Sequence, residues 1–134
     1  MSKTILIDAN IVIRFLLNDS PKLSRKAKAI FRQAEAGEIK LFFDEVIVAE
    51  LIWTLSSFYK IKKLEIVDRL EKLLSQDWAE NPRKRLILMA FELYRGSNLD
   101  YIDCWLFIVS KSLKLKLETF DKNLSKMRSS WGEK

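Results

Sequence analysis

Four acidic side chains occupy positions from which carboxylate chemistry could run. Asp8 abruptly ends the apolar run Ile5-Leu6-Ile7. Glu50 is the only charged residue between Val46 and Leu55. Asp103 falls in the first turn of a helical pattern that contains Trp105 and Phe107, and Asp121 follows an alternating stretch that ends at Thr119. Grouped carboxylates repel and raise one another's pKa unless a cation lies between them. With Mg²⁺ or Mn²⁺ bound, such a group can activate water and polarise a phosphoryl oxygen. The chain has no histidine. A histidine general base, a Ser–His or Cys–His pair and a His-ligated zinc are therefore all excluded. The single cysteine, Cys104, has no histidine to activate it and reads as a small buried residue. Any hydrolysis must run on carboxylates.

Each acid also admits a purely structural role. Asp8 could bond the amides of the following helix. Asp103 lies three residues after Asp100, so the two could form a capping pair favoured by the helix dipole. Asp121 could be a plain N-cap. Glu50 could face solvent at a helix rim or bond a lysine; if it is desolvated instead, it needs a counter-charge or a metal.

The elements that must hold these acids alternate. Thr4 to Ile7 reads as a strand covered on both faces, the pattern of a central parallel strand. Asn10 can cap the short helix that begins at Ile11 and runs to Leu17. Asn18-Asp19-Ser20-Pro21 is a turn, with Ser20 as cap and Pro21 as first residue of a helix to about Ala36. Leu23, Ala27, Ile30, Phe31 and Ala34 fall on its inner face, and Gly37 stands where a C-terminal cap belongs. Lys40 to Phe43 reads as a second strand. Asp44 caps a helix from Glu45 to Tyr59 that is apolar almost all round, as expected of a helix lying between a sheet and a partner. A basic joint, Lys60 to Lys63, leads to an amphipathic helix with Ile66, Val67, Leu70, Leu73 and Leu74 inside. A short edge strand is expected around Trp78. Pro82 opens a helix ended by Gly96. Asp100 opens another, with Ile102, Trp105, Leu106, Ile108 and Val109 buried. Lys114 to Thr119 alternates as a strand, Asp121 caps a last short helix, and the tail from Ser129 frays.

Strands alternating with helices argue an α/β fold, a helix-rich three-layer α/β/α sandwich around a short parallel sheet of about four strands. At 134 residues the expectation is one domain, 1–134. In such a sheet the residues after the first and last strands share an edge, where open α/β sheets hold ligands. Asp8, Asp103 and Asp121 could converge there, with Glu50 reaching in from its helix. No run is long and apolar enough for a membrane span, and the start lacks a signal-peptide layout, so the cytoplasm is the expected compartment. A net charge of +6 favours a polyanionic partner, weakly. Trp53, Trp78 and Trp105 read as core or dimer contacts rather than base-stacking platforms. The cluster Arg83-Lys84-Arg85 reads as a solvated helix face, with RNA contact as its alternative. The helix from Glu45 and its successor carry more apolar surface than one thin sheet can cover, which points to a dimer.

The chain resembles a PIN-domain ribonuclease of the VapC-type toxin class. Leu6-Ile7-Asp8-Ala9-Asn10-Ile11-Val12-Ile13-Arg14-Phe15-Leu16 is similar to that family's first motif, and Val46-Ile47-Val48-Ala49-Glu50-Leu51-Ile52-Trp53-Thr54-Leu55 to its second. Leu99-Asp100-Tyr101-Ile102-Asp103-Cys104 is similar to the third and Glu118-Thr119-Phe120-Asp121 to the fourth. The match runs in order along nearly the whole chain. The resemblance implies a metal-dependent endoribonuclease, a Mg²⁺ or Mn²⁺ cofactor, an RNA substrate, a homodimer and an antitoxin partner that blocks the site. It implies that Asp8, Glu50, Asp103 and Asp121 are the catalytic and metal-binding acids, with Asn10 and Thr119 supporting them. Ala9 stands where Thr or Ser is common and Cys104 where Ala is common; both are small changes. Asp100 is a second acid beside Asp103, and Asp103 is taken as the metal ligand.

Two other readings compete. A catalytically silent nucleic-acid-binding module on the same fold would have no reason to keep four acids. A phosphoacceptor receiver domain would need an adjacent acid pair after the first strand, which Asn10 breaks, and an acceptor Asp after a mid-chain strand, which is not evident.

Overall fold

A computed structural model describes residues 3–130, the side chains of 128–130 excepted. Of the tail expected to fray from Ser129, Ser129 and Ser130 are helical instead, and the rest, Trp131 included, lies outside the described residues. The chain divides into two compact units, residues 1–82 and 83–134.

The first unit holds a parallel three-stranded sheet in the order β1-β2-β3. Its elements are β1 (Lys3–Leu6), α1 (Ala9–Leu17), α2 (Pro21–Glu35), β2 (Ile39–Phe42), α3 (Glu45–Ser57), α4 (Lys63–Leu74) and β3 (Ala79–Glu80). The strand expected around Trp78 is therefore present, two residues long. The central strand is β2, whose Leu41 is fully buried. β1 differs from its reading. It is an edge strand among the described residues, bonded to β2 alone, and Leu6 is 68% exposed. An apolar run can signal burial on two faces, but which strand lies in the middle depends on pairing between distant segments. Ile7, one residue beyond the strand, is the one that is buried.

The helices of this unit start and stop for local reasons. Asp8, not Asn10, is the N-cap of α1; its side chain accepts the N–H of Ile11 at 3.1 Å. Asn18 ends α1 in the left-handed conformation (φ 54°), which Asn tolerates better than most residues. Arg14 reaches across the turn to Asp19 at 2.7 Å, and the guanidinium holds that carboxyl below the ordinary Asp range. Ser20 makes no side-chain capping bond, so Pro21 carries the start of α2 through its fixed φ. Gly37 follows α2 at φ 81°, where a side chain would be strained. α2 buries Ser24, Ala27, Phe31 and Ala34. Leu23 is 45% exposed and Ile30 half-buried, contrary to expectation. The buried Ser24 satisfies its hydroxyl on the carbonyl of Arg14 at 2.9 Å. α4 buries all five residues assigned to its inner face, and its Arg69 donates to the carbonyl of Leu16 at 3.2 Å, one of the orphan acceptors of the α1 terminus.

Asn81 ties the sheet edge to the helix that follows β2. It is buried, and its amide N–H₂ donates to the Phe43 carbonyl and to Glu45 Oε1, both at 2.7 Å.

The second unit holds α5 (Lys84–Gly96), α6 (Tyr101–Leu113) and α7 (Lys122–Ser130). α5 and α6 pack through Ile87, Ala90, Phe91 and Tyr94 on one side and Tyr101, Cys104, Phe107 and Ile108 on the other. Tyr101 meets the Phe91 ring at 5.7 Å and Tyr94 edge-on at 6.0 Å. Ile102 and Leu106, expected inside, are 51% and 43% exposed. The aromatic pair sets the rotation of α6 and brings Tyr101 and Cys104 inward instead. Cys104 is buried, as expected. Lys114 to Thr119 is not a strand. Lys114 ends α6 in the left-handed region (φ 56°), and residues 115–120 are irregular. Alternation alone does not make a strand, because the backbone groups need a ladder partner. The sheet thus has three strands among the described residues, not four.

Asn81→Ala should destabilise the protein by about 1–3 kcal/mol, because a buried carbonyl and a carboxylate oxygen each lose a donor. Urea unfolding checks this; a change below about 0.5 kcal/mol, the size of an ordinary surface substitution, would show the bonds are replaced by water.

Candidate active site

The parallel register brings the strand ends of the first unit to one edge. Leu6 pairs with Phe42 and Phe42 with Glu80. Asp8 and Asp44 both stand two residues past this line and both cap the helix that follows. They line one cleft of about 570 Å³, together with Leu6, Ile11, Ile30 and Val46. The sequence reading marks Asp44 only as a cap. Its place after β2, matching that of Asp8 after β1, is the signal that could have marked it as a neighbour.

Asp8 is exposed. One of its oxygens accepts the Ile11 amide; the other is free for a ligand. Glu50 does not line the cleft. It lies on the outer face of α3 with Val46 and Trp53, which are 72% and 67% exposed, and no hydrogen bond or ion pair engages it among the described residues. The cost foreseen for a charge in an apolar helix does not arise, because this face meets water. Asn10 is exposed in the first turn of α1.

The second unit groups its acids. Asp100 is the N-cap of α6, accepting the Asp103 N–H at 2.9 Å. Asp103 is therefore not the capping side chain, and its own carboxylate is spared that duty. Its pKa is raised above the ordinary Asp value by partial burial first, and then by the negative charges of Asp100 and Asp121. Asp121 accepts the Leu124 N–H at 2.8 Å and caps α7. Its own N–H donates to Thr119 Oγ1 at 3.0 Å, so Thr119 does support this acid. Asp103 and Asp121, eighteen residues apart in sequence, thus feel one another.

The donor set suits a hard cation, since all its members are carboxylates. Among the described residues, however, no three acidic or thiol side chains stand in an arrangement that could hold a metal ion as they are. Burial and the like charges of Asp100 and Asp121 both raise the pKa of Asp103, and both would be relieved by a cation beside it.

The PIN-domain family model matches residues 5–129. The chain belongs to the PIN-domain family. A relative, the VapC ribonuclease of Aquifex aeolicus (strain VF5), is 24% identical over 123 residues, covering 91% of this chain and 90% of that protein. No solved structure matches. The α/β class foreseen from the sequence, helix-rich with a short parallel sheet, is the one this family membership and the three-stranded sheet support. No helix among the described residues is long and apolar enough to cross a membrane.

The raised pKa of Asp103 has a consequence for stability. Between the unfolded and the folded pKa, the folded state binds its proton more tightly. Stability therefore falls as pH rises through that interval and stays lower at neutral pH. In EDTA, Asp103→Asn should melt above the wild type at pH 7, and the gap should close near pH 4 and below, about the unperturbed Asp value. Thermal melts across this range test it; a variant that melts lower at pH 7 would show Asp103 to be structurally required.

Proposed function

We propose that the chain is a metal-dependent endoribonuclease that hydrolyses RNA phosphodiester bonds, and the toxin of a toxin–antitoxin pair. Asp8, Glu50, Asp103 and Asp121 are its catalytic residues and the ligands of Mg²⁺ or Mn²⁺, within one nuclease domain spanning 1–134. The observation that carries this reading is the charge grouping of Asp103 with Asp100 and Asp121, in a chain whose family model runs from residue 5 to 129. The name of the Aquifex relative, a ribonuclease, supports the choice of RNA; the antitoxin partner follows from the resemblance of the four motifs.

A bound divalent ion would supply Lewis-acid polarisation and a more acidic water. The chain's own residues do the rest. Asp100 fixes the first turn of α6 through the Asp103 N–H, which leaves both oxygens of Asp103 to turn toward a ligand. Thr119 orients Asp121 through that residue's amide. Asp8 keeps one oxygen on α1 and offers the other. The pKa of Asp103 lies above the ordinary Asp value, through partial burial first and then the charges of Asp100 and Asp121, a repulsion that a bound cation would offset. The buried thiol of Cys104 takes no part. The enzyme acts in the cytoplasm as a homodimer; the outward Val46, Trp53 and Phe58, each more than two-thirds exposed, support a partner surface there.

Purified protein incubated with total RNA should cleave it with Mg²⁺ or Mn²⁺ and stop in EDTA. Asp103→Asn should lower the rate more than the roughly 10–100-fold typical of a lost outer-shell partner, and thiol reagents that leave the fold intact should change nothing. Full activity after exhaustive dialysis against EDTA would reject the metal mechanism. Light scattering at micromolar concentration should give at least a dimer, shifted toward monomer by Trp53→Glu; a wild-type monomer would contradict the homodimer.

A further inference from the structure

α2 carries a charge pattern that the acids do not explain. Its fifteen residues include five cations, Lys22, Arg25, Lys26, Lys28 and Arg32, and one acid, Glu35. No hydrogen bond or ion pair engages any of the five among the described residues. Lys22, Arg25, Lys26 and Arg32 are exposed, opposite the buried face of Ser24, Ala27, Phe31 and Ala34. At about 100° and 1.5 Å per residue, these four form one stripe about 15 Å long. A row of unpaired like charges repels itself and costs stability unless something anionic covers it.

The stripe runs beside the cleft that Asp8 and Asp44 line. Ile30 is the residue of α2 in that cleft. Lys26 stands one turn earlier, rotated from it by only about 40°. An extended anion lying on the stripe is thus led to the rim where Asp8 sits.

We propose that the exposed face of α2 is the phosphate-backbone contact of the RNA substrate, holding single-stranded RNA along the helix so that it enters the cleft at Asp8. This rests on the nuclease reading above. Between the cations the stripe offers Ala29 and Gln33, with one exposed apolar side chain, Leu23, at its border. A protein partner would need apolar or aromatic anchors at its centre, whereas a phosphate backbone needs only regularly placed cations. The stripe therefore sets affinity and register rather than base preference.

The test replaces Lys22, Arg25, Lys26 and Arg32 together by Gln, which keeps helix propensity and removes charge. A control loses four exposed cations elsewhere: Lys60, Lys62, Lys72 and Lys114, each to Gln. Binding of a short fluorescent single-stranded RNA of mixed sequence is followed by anisotropy in EDTA, from about 50 to 200 mM salt, the range over which phosphate contacts separate by their salt dependence. The α2 variant should bind at least about tenfold more weakly than the control, and its log–log salt slope should shrink by about 0.7 for each phosphate that is no longer neutralised. Equal weakening in the two variants would mean that net charge alone acts, and would overturn the proposal. So would an unchanged RNA affinity with lost binding to poly-glutamate, which would mark the face as a site for an acidic protein. A wild type that cleaves RNA while the α2 variant binds it normally overturns this inference and leaves the nuclease reading standing. A wild type that neither binds nor cleaves RNA overturns both.

Discussion

Both compact units depend on one recurring interaction, a carboxylate at a helix start accepting a backbone N–H. Asp8, Asp44, Asp100 and Asp121 each do this. Helix starts carry unsatisfied donors and the positive end of the macrodipole, and an acid there supplies the missing acceptor. A cap uses one acceptor position and leaves others free. Structural and chemical roles of these acids are therefore not alternatives. Asp8 and Asp121 hold helices in place and still present an oxygen outward. Asp103 differs, because Asp100 has taken the capping duty and leaves it as the acid with the least structural reason to be charged.

Parallel pairing multiplies the effect. In register, strands that end in a cap residue deliver their acids side by side, as β1 and β2 do with Asp8 and Asp44. Asn81, one residue past the end of β3, binds this edge with an amide rather than a carboxylate. A third acid there would sit beside Glu45 and be repelled; the amide donates to that carboxylate instead.

The cations are arranged as unevenly as the acids. Asp8, Asp44, Asp100 and Asp121 each stand at a helix start, whereas α2 alone carries five of the positive charges on fifteen residues. A net charge of +6 says little by itself. Its concentration on one exposed helix face beside an acid-rimmed cleft is what gives it meaning, since the phosphate groups of one strand could meet both.

The sequence by itself determined what local physics controls. Helix starts at Asp44, Asp100 and Asp121, the Pro21 entry, the Gly37 exit and the inner face of α4 were all legible, because caps, fixed φ angles and 3.6-residue periodicity act within a few residues. The order of the four motifs was enough to indicate the family. Only the tertiary structure decided the rest. It made β2 the central strand and left β1 at an edge, because sheet order comes from pairing between segments far apart in the chain. It rotated α6 so that Tyr101 and Cys104 face inward while Ile102 does not, since the rings of Phe91 and Tyr94 choose among several apolar faces that periodicity alone cannot rank. It left 115–120 irregular, for alternation supplies no hydrogen-bond partner. It put Glu50 on a face that meets water, where the desolvation cost inferred from its apolar neighbours disappears. And it set Asp103 within reach of the charge of Asp121, a coupling that depends on distance in space, which a separation of eighteen positions in sequence does not encode.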